Sequence, residues 1–301
     1  MYDTTLHSDI KAIISIDNDY HNYDRYDDKK IVQYKNQKKD NVIESDDSID
    51  SNKSASTIES QDSDKSILSI ESLDSPIFEY NKKNIKKNKK KNDLKTLLRL
   101  FPRLNNKNDA VNLKIDNDSL YYISIREYAD QISNIIIEYA NRINVKSKEI
   151  IITDSTAGVG GNTISFCKYF KKVYAIEIDK KRAKYLKNNL DVYNLTNIEI
   201  IENNCINVLD KIENHDVVFI DPPWGGKNYK NYEKLKLKIS DTPIEMLCNN
   251  LMNQDIMKKI PKMIILKLPN NYDIVNLYTL CNGKYIFTYN LNKMTIVVII
   301  T

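Results

Sequence analysis

The sequence predicts an α/β fold: a mostly parallel, doubly wound sheet with one reversed strand, preceded by a helical extension. Three observations point there. Apolar, strand-like runs alternate with helix-like stretches from residue 149 onward. Glycine is scarce, six in 301 residues, yet Gly158, Gly160 and Gly161 crowd together just past the first such run. The last two apolar runs, 285–291 and 294–300, are separated by two residues. A parallel crossover needs about ten or more, so those two strands must be antiparallel.

The elements follow in order. Leu94, Leu97, Leu98 and Phe101 have helical spacing, and Pro102 ends that segment. Residues 121–144 read as a second helix, with Ile132, Ile135, Ile136 and Tyr139 on one face. Strand-like runs then lie at 149–155, 172–179, 197–203, 216–223 and 262–269. Helices are predicted between them at 161–170, 180–193, 205–212 and 243–257, and after them at 274–281. The expected organisation is a low-complexity, disordered extension over 1–92, a helical extension over 93–147 that contributes to substrate binding, and a core over 148–301.

Charge separates the first of these regions from the rest. Residues 1–81 hold 18 acids and 9 bases, residues 82–91 add seven lysines, and residues 92–301 hold 29 bases and 23 acids. Eleven serines lie in residues 45–75 among Asp, Glu and Ile, a composition that suits a solvated linker. The lysine run is either a basic spacer or an RNA or nuclear-import contact. The apolar patch at 12–16 has no assignable place. No apolar run approaches the ~20 residues of a membrane span, and the N-terminus lacks the pattern of a secretory signal. The four cysteines are far apart with no CxxC pair, so neither a zinc cluster nor a disulfide framework is expected, and no metal is implied. An intracellular place fits, cytoplasmic or nuclear, and the wealth of Lys, Asn and Ile hints at an A/T-rich genome, that of a virus or a protist, with host cytoplasm the place if viral.

The first motif is Asp-Ser-Thr-Ala-Gly-Val-Gly-Gly-Asn at 154–162. Glycine at a strand end lets a ligand approach the backbone, and the next helix offers free N–H groups. The spacing is neither the dinucleotide GxGxxG nor the P-loop. An acid ahead of the glycines, Asp154, suits a ligand with a cationic amine, such as the amino-acid part of S-adenosylmethionine. Glu177 ends the second core strand, where a carboxylate takes both ribose hydroxyls; Asp179 is a weaker candidate. Alone, each acid is as ordinary as a helix cap. With the glycine turn they predict a cofactor set of Asp154, Thr156, Gly158, Gly160, Asn162 and Glu177.

The second motif is Asp-Pro-Pro-Trp-Gly-Gly at 221–226, with the chain's single tryptophan at 224. Ligands sit at the carboxyl ends of strands in such sheets. Paired prolines stiffen the turn. A carbonyl there and the Asp221 side chain both accept hydrogen bonds from an exocyclic amine, which fixes its rotation. Trp224 supplies a flat face for a base, worth ~1–3 kcal/mol by stacking, and a cationic base adds cation–π attraction. The expected catalytic group is Asp221, Pro222 and Trp224, with Asp221 also touching the cofactor.

The runs DSTAGVGGN and DPPWGG, with the acid at Glu177, together resemble the trimethylguanosine synthases, the RNA cap guanine-N2 methyltransferases. RLFPRL at 99–104, KLPNNYDI at 267–274 and NLNKMTI at 290–296 extend the resemblance over roughly 95–301. It implies a class I, Rossmann-like, S-adenosylmethionine-dependent methyltransferase acting on the N2 amine of a 7-methylguanosine cap. By position, Trp224 stacks on the methylated guanine, and Asp221 with Pro222 holds N2. Asn204 joins the cofactor pocket, while Tyr229, Lys293, Arg99 and Arg103 face the cap phosphates. The implied partners are capped RNA or 7-methylguanosine nucleotides, with the chain a monomer.

The sequence departs from the family pattern at four places. Asp221 stands where the family usually has Ser, Asn204 where it has Asp, Asn270 where it has Arg, and Ile125-Arg126-Glu127 where it has Thr-Pro-Glu. Asp221 brings the second motif toward N6-adenine methyltransferases of RNA or DNA, which form the alternative reading. A catalytically inactive cap- or RNA-binding module is the third.

Overall fold

The computed structural model describes residues 13–16 and 93–301 apart from 282. The serine-rich stretch and the lysine run lie outside the described residues. Eight strands form one sheet in the order β1-β9-β10-β8-β5-β2-β3-β4. They are β1 (Ile13–Ile16), β2 (Ile151–Asp154), β3 (Lys172–Glu177), β4 (Ile198–Glu202), β5 (Val217–Ile220), β8 (Met263–Pro269), β9 (Tyr285–Leu291) and β10 (Met294–Ile300). A two-stranded hairpin, β6 (Lys238–Ile239) with β7 (Thr242–Pro243), stands apart. From β8 to β4 every pairing is parallel. β10 runs antiparallel to both its neighbours, β8 and β9. The expected reversed strand is therefore wedged one place in from β9. The patch left without a place at 12–16 supplies β1, a parallel edge partner of β9.

The central strands bury both faces, which is why they read as continuous apolar runs. Successive side chains alternate between the two faces. Val217, Phe219, Ile265 and Val298 join one core, while Val218, Ile220, Ile264 and Val297 join the other. The first core is covered by α1 (Leu94–Leu100), α3 (Arg126–Arg142), α4 (Gly161–Tyr169) and α5 (Lys180–Val192); the second by α6 (Ile244–Leu251) and α7 (Val275–Leu280). Leu97, Phe101, Ile132, Ile136 and Tyr139 sit in the same core as Ile152 and Phe166. The helical extension thus has no core of its own. Among the described residues no helix is long and apolar enough to cross a membrane.

One expected helix breaks. Residues 121–144 form α2 (Ser119–Tyr122), a three-residue interruption, and then α3. Ile123 and Ile125 take extended backbone angles. The interruption lies against the start of α4: a Cβ on Gly161 would meet Ile123 Cγ1 at 2.6 Å and the Ser124 carbonyl at 3.1 Å. Asn162 Nδ2 donates to Ser124 Oγ at 3.0 Å. Tertiary contact overrides an unbroken apolar period here. The helix expected at 205–212 is likewise two 3₁₀ turns, Cys205–Asn207 and Leu209–Lys211.

Candidate active site

The glycine turn leaves β2 and enters α4. Gly158 and Gly160 have positive φ, at 56° and 104°, a region that L side chains avoid. They serve different ends. Nothing lies within 4 Å of a Cβ built on Gly158, so its backbone borders open space; a Cβ on Gly160 would meet Leu186 Cδ1 at 2.9 Å, so that glycine permits α5 to close on the turn. Asn189, buried on α5, holds the turn from behind, donating to the carbonyls of Val159 and Lys114 at 2.8 Å each and accepting from Lys114 N at 2.7 Å.

Asp154 does not face the open turn. It is buried, with Oδ2 accepting from Thr163 Oγ1 at 2.6 Å and Oδ1 from Thr156 N at 3.4 Å. Burial pushes its carboxyl up to about 7 against the pull of those two bonds, and nearby Asp221 and Glu177 add to the rise. Glu177 accepts from Gly158 N at 2.7 Å through one oxygen and from Asp179 N at 2.8 Å through the other. An ionised carboxylate has about four lone-pair sites, so a pair of ribose hydroxyls still finds acceptors there. Asp179 itself is a helix cap, accepting from Lys181 N and Arg182 N. Asn204 caps the turn at Cys205–Asn207 and donates to Ser240 Oγ at 2.9 Å, beside the β6–β7 hairpin.

Two buried oxygens at the turn, Asn162 Oδ1 and Ser155 Oγ, have no hydrogen-bond partner. Buried polar groups are seldom left unpaired. With the open backbone at Gly158 and the carboxylate of Glu177, they fit the amino-acid and ribose portions of S-adenosylmethionine.

The second turn follows β5, beside the glycine turn. Thr156 ties the two together: its Oγ1 accepts from Asp221 N at 2.9 Å. Pro222 is buried. Gly225 and Gly226 both have positive φ, at 83° and 74°, which lets the chain reverse directly after Trp224. The indole packs, half-buried, between the two cores. Its Nε1 is buried without a partner. Tyr229, expected on the cap phosphates, sets its ring edge-on to Trp224, with centroids 5.2 Å apart.

One group escaped the sequence reading. Lys267 of β8 is buried, donates to Asp221 Oδ2 at 2.6 Å and lies 5.4 Å from the Trp224 ring centroid. It sits in an apolar strand between Leu266 and Leu268, where a lysine carries no local signal. Burial raises the Asp221 carboxyl above its ordinary value, and Lys267 opposes that rise.

The remaining basic residues are dispersed. Lys293 is exposed at the β9–β10 bend, which is tied to the end of β8 by Asn270 Nδ2 donating to the Asn292 carbonyl at 2.6 Å. Arg103 lies at the opposite end of α4 from the glycine turn, its carbonyl accepting from Lys168 at 2.9 Å. Arg99 is exposed on α1. No hydrogen bond or ion pair among the described residues joins either arginine to Trp224. Among the described residues no group of acids, histidines and cysteines is placed to hold a metal ion.

A family model described as RNA cap guanine-N2 methyltransferase matches residues 149–299. The chain is 36% identical over 205 residues to Uncharacterized protein L320 of Acanthamoeba polyphaga mimivirus, covering 62% of this chain and 78% of that one. It is 30% identical over 121 residues to the trimethylguanosine synthase of Schizosaccharomyces pombe, covering 38% of this chain and 47% of that one. Among solved structures it is similar to the Thermus thermophilus 16S rRNA N2 G1207 methyltransferase in complex with AdoMet and guanosine, at 13% identity and a TM-score of 0.44, over 62% of this chain and 44% of that one. The match spans both binding turns and the strands that carry them, and on it the chain belongs to the RNA cap guanine-N2 methyltransferase family, whose methyl donor is S-adenosylmethionine.

Proposed function

We propose that this chain, as a monomer, methylates the N2 amine of the 7-methylguanosine cap of RNA. The observation that carries the reading is the join between the two turns, Asp221 N to Thr156 Oγ1. It sets an aromatic face and a pair of amine acceptors next to the cofactor turn. When bound, S-adenosylmethionine supplies a methyl carbon on a sulfonium whose sulfur leaves as a neutral thioether. The chain's residues handle the nucleophile. Trp224 holds the base by stacking, more strongly when 7-methylation makes it cationic. Asp221 Oδ1 and the Pro222 carbonyl, neither hydrogen-bonded within the described residues, accept from the two N2 protons and fix the amine's rotation. One of those protons becomes acidic as the N–C bond forms and passes to an acceptor or water, so no strong base is required.

The test is product mass from 7-methyl-GDP and S-adenosylmethionine. A gain of one or two methyl groups, with little turnover of GTP, is the expected result. Equal rates on GTP count against the role of the ring's charge. Methylation of an adenine-containing oligonucleotide instead supports the N6-adenine reading, which Asp221 favours. S-adenosylhomocysteine binding with no turnover on either substrate supports the inactive module.

A further inference from the structure

We propose that Lys267 is a positioning residue for this reaction: by taking Asp221 Oδ2 it fixes the carboxylate beside Trp224 and keeps it an acceptor, leaving Oδ1 for the N2 amine. The inference rests on the guanine-N2 reading above and adds to it a residue from a different strand.

Leu266 and Leu268, on either side of Lys267, are fully buried. A lysine in such a strand is costly unless paired and hydrogen-bonded. Its ion-pair partner among the described residues is Asp221. That pairing occupies one oxygen, and 17% of the Asp221 side chain stays open. The protonation state of the other oxygen decides the chemistry. An ionised carboxylate only accepts, whereas a protonated one also donates. A donor aimed at N2 would engage the lone pair that must reach the methyl carbon. Two opposing influences act on Asp221: burial, which raises its carboxyl, and Lys267 of β8, whose charge and hydrogen bond favour the ionised form. Thr156, which accepts from the Asp221 N–H, carries no charge. Lys267 therefore favours the form in which the turn presents an acceptor.

Steady-state kcat and KM for 7-methyl-GDP, measured from about pH 6 to about pH 9, test the proposal on wild type, K267M and K267R. S-adenosylhomocysteine affinity checks the fold. Emission of Trp224, the chain's single tryptophan, reads the same titration without substrate. In K267M we expect kcat to fall about tenfold or more near pH 7 and the acid limb to move up by about one pH unit or more, with recovery at alkaline pH. The emission titration moves with it, and K267R keeps the wild-type limb. A K267M loss equal at every pH, or an emission titration identical to wild type, overturns the proposal. If K267M does not bind S-adenosylhomocysteine, D221N/K267M carries the test: with no carboxylate left to titrate its kcat loses the acid limb, and a limb retained at the wild-type position refutes the idea. Wild type inactive on 7-methyl-GDP sinks the underlying reading, while the emission titration still decides whether Lys267 controls Asp221.

Discussion

Replacing Gly161 by alanine tests how closely the interrupted helix is joined to the cofactor turn. The new Cβ would stand 2.6 Å from Ile123 Cγ1 and 3.1 Å from the Ser124 carbonyl. Carbon pairs rest at about 3.5–4.0 Å, so the interruption must retreat by about 1 Å. Overpacking of this kind costs about 1–3 kcal/mol. The retreat also draws Ser124 Oγ away from Asn162 Nδ2, now at 3.0 Å, a further loss of about 0.5–1.5 kcal/mol. We expect G161A to lose about 2–4 kcal/mol in urea denaturation and to weaken S-adenosylhomocysteine binding by calorimetry, because Asn162 is freed. I123A in the same chain removes the worse of the two clashes, so the double variant should recover about 1–2 kcal/mol relative to the sum of the singles. A G161A protein as stable as wild type, or strictly additive singles, would refute the close packing on which the reasoning rests.

Other perturbations separate the parts of the site. Trp224→Ala should weaken 7-methyl-GDP binding by about 1–3 kcal/mol, roughly 5- to 150-fold, while S-adenosylhomocysteine affinity stays near wild type; calorimetry reads both, and a parallel loss of the two argues against a base platform. Thr156→Val leaves the Asp221 N–H without its acceptor, at about 1–3 kcal/mol; kcat/KM for the nucleotide should fall more than cofactor affinity, and the reverse order would place the strap on the wrong side of the site. Asp154 supplies a pH dependence. Its carboxyl is raised to about 7 by burial, so the native chain keeps a proton that the unfolded chain releases above about pH 4. Stability in urea should therefore fall as pH rises from about 4 to about 7, by at most about 1.4 kcal/mol per pH unit. Asp154→Asn should flatten that slope, and an unchanged slope in the variant assigns the titration elsewhere.

Much of the site was legible because its residues are rare. Five of six glycines and the one tryptophan cannot cluster at two strand ends without a local reason, and the strands between them bury both faces, so their apolar runs are unbroken. What stayed hidden has no local signature. The interruption at 123–125 contains neither Gly nor Pro, and the helical period runs through it; only the glycine it packs against, 36 residues or more away, explains it. Lys267 reads as a stray charge near a strand end until its partner, 46 positions back, is placed beside it. Tyr229 enters the sequence reading by resemblance alone, and its edge-on place against the indole has no local signal. Asp154 was legible as a residue of the bend, while its inward hydrogen bonds to Thr163 and Thr156 were not.

The reversed course of β10 matters beyond the sheet's pairing. Parallel neighbours must each spend a long excursion returning to the other rim, whereas a reversed strand comes back at once. The bend at Asn292–Lys293 is consequently short and lies at the rim where β8 ends, buttressed by Asn270 and by Tyr128 of α3. The two residues of the bend are exposed, between the buried Leu291 and Met294, so charge there can change without entering the core.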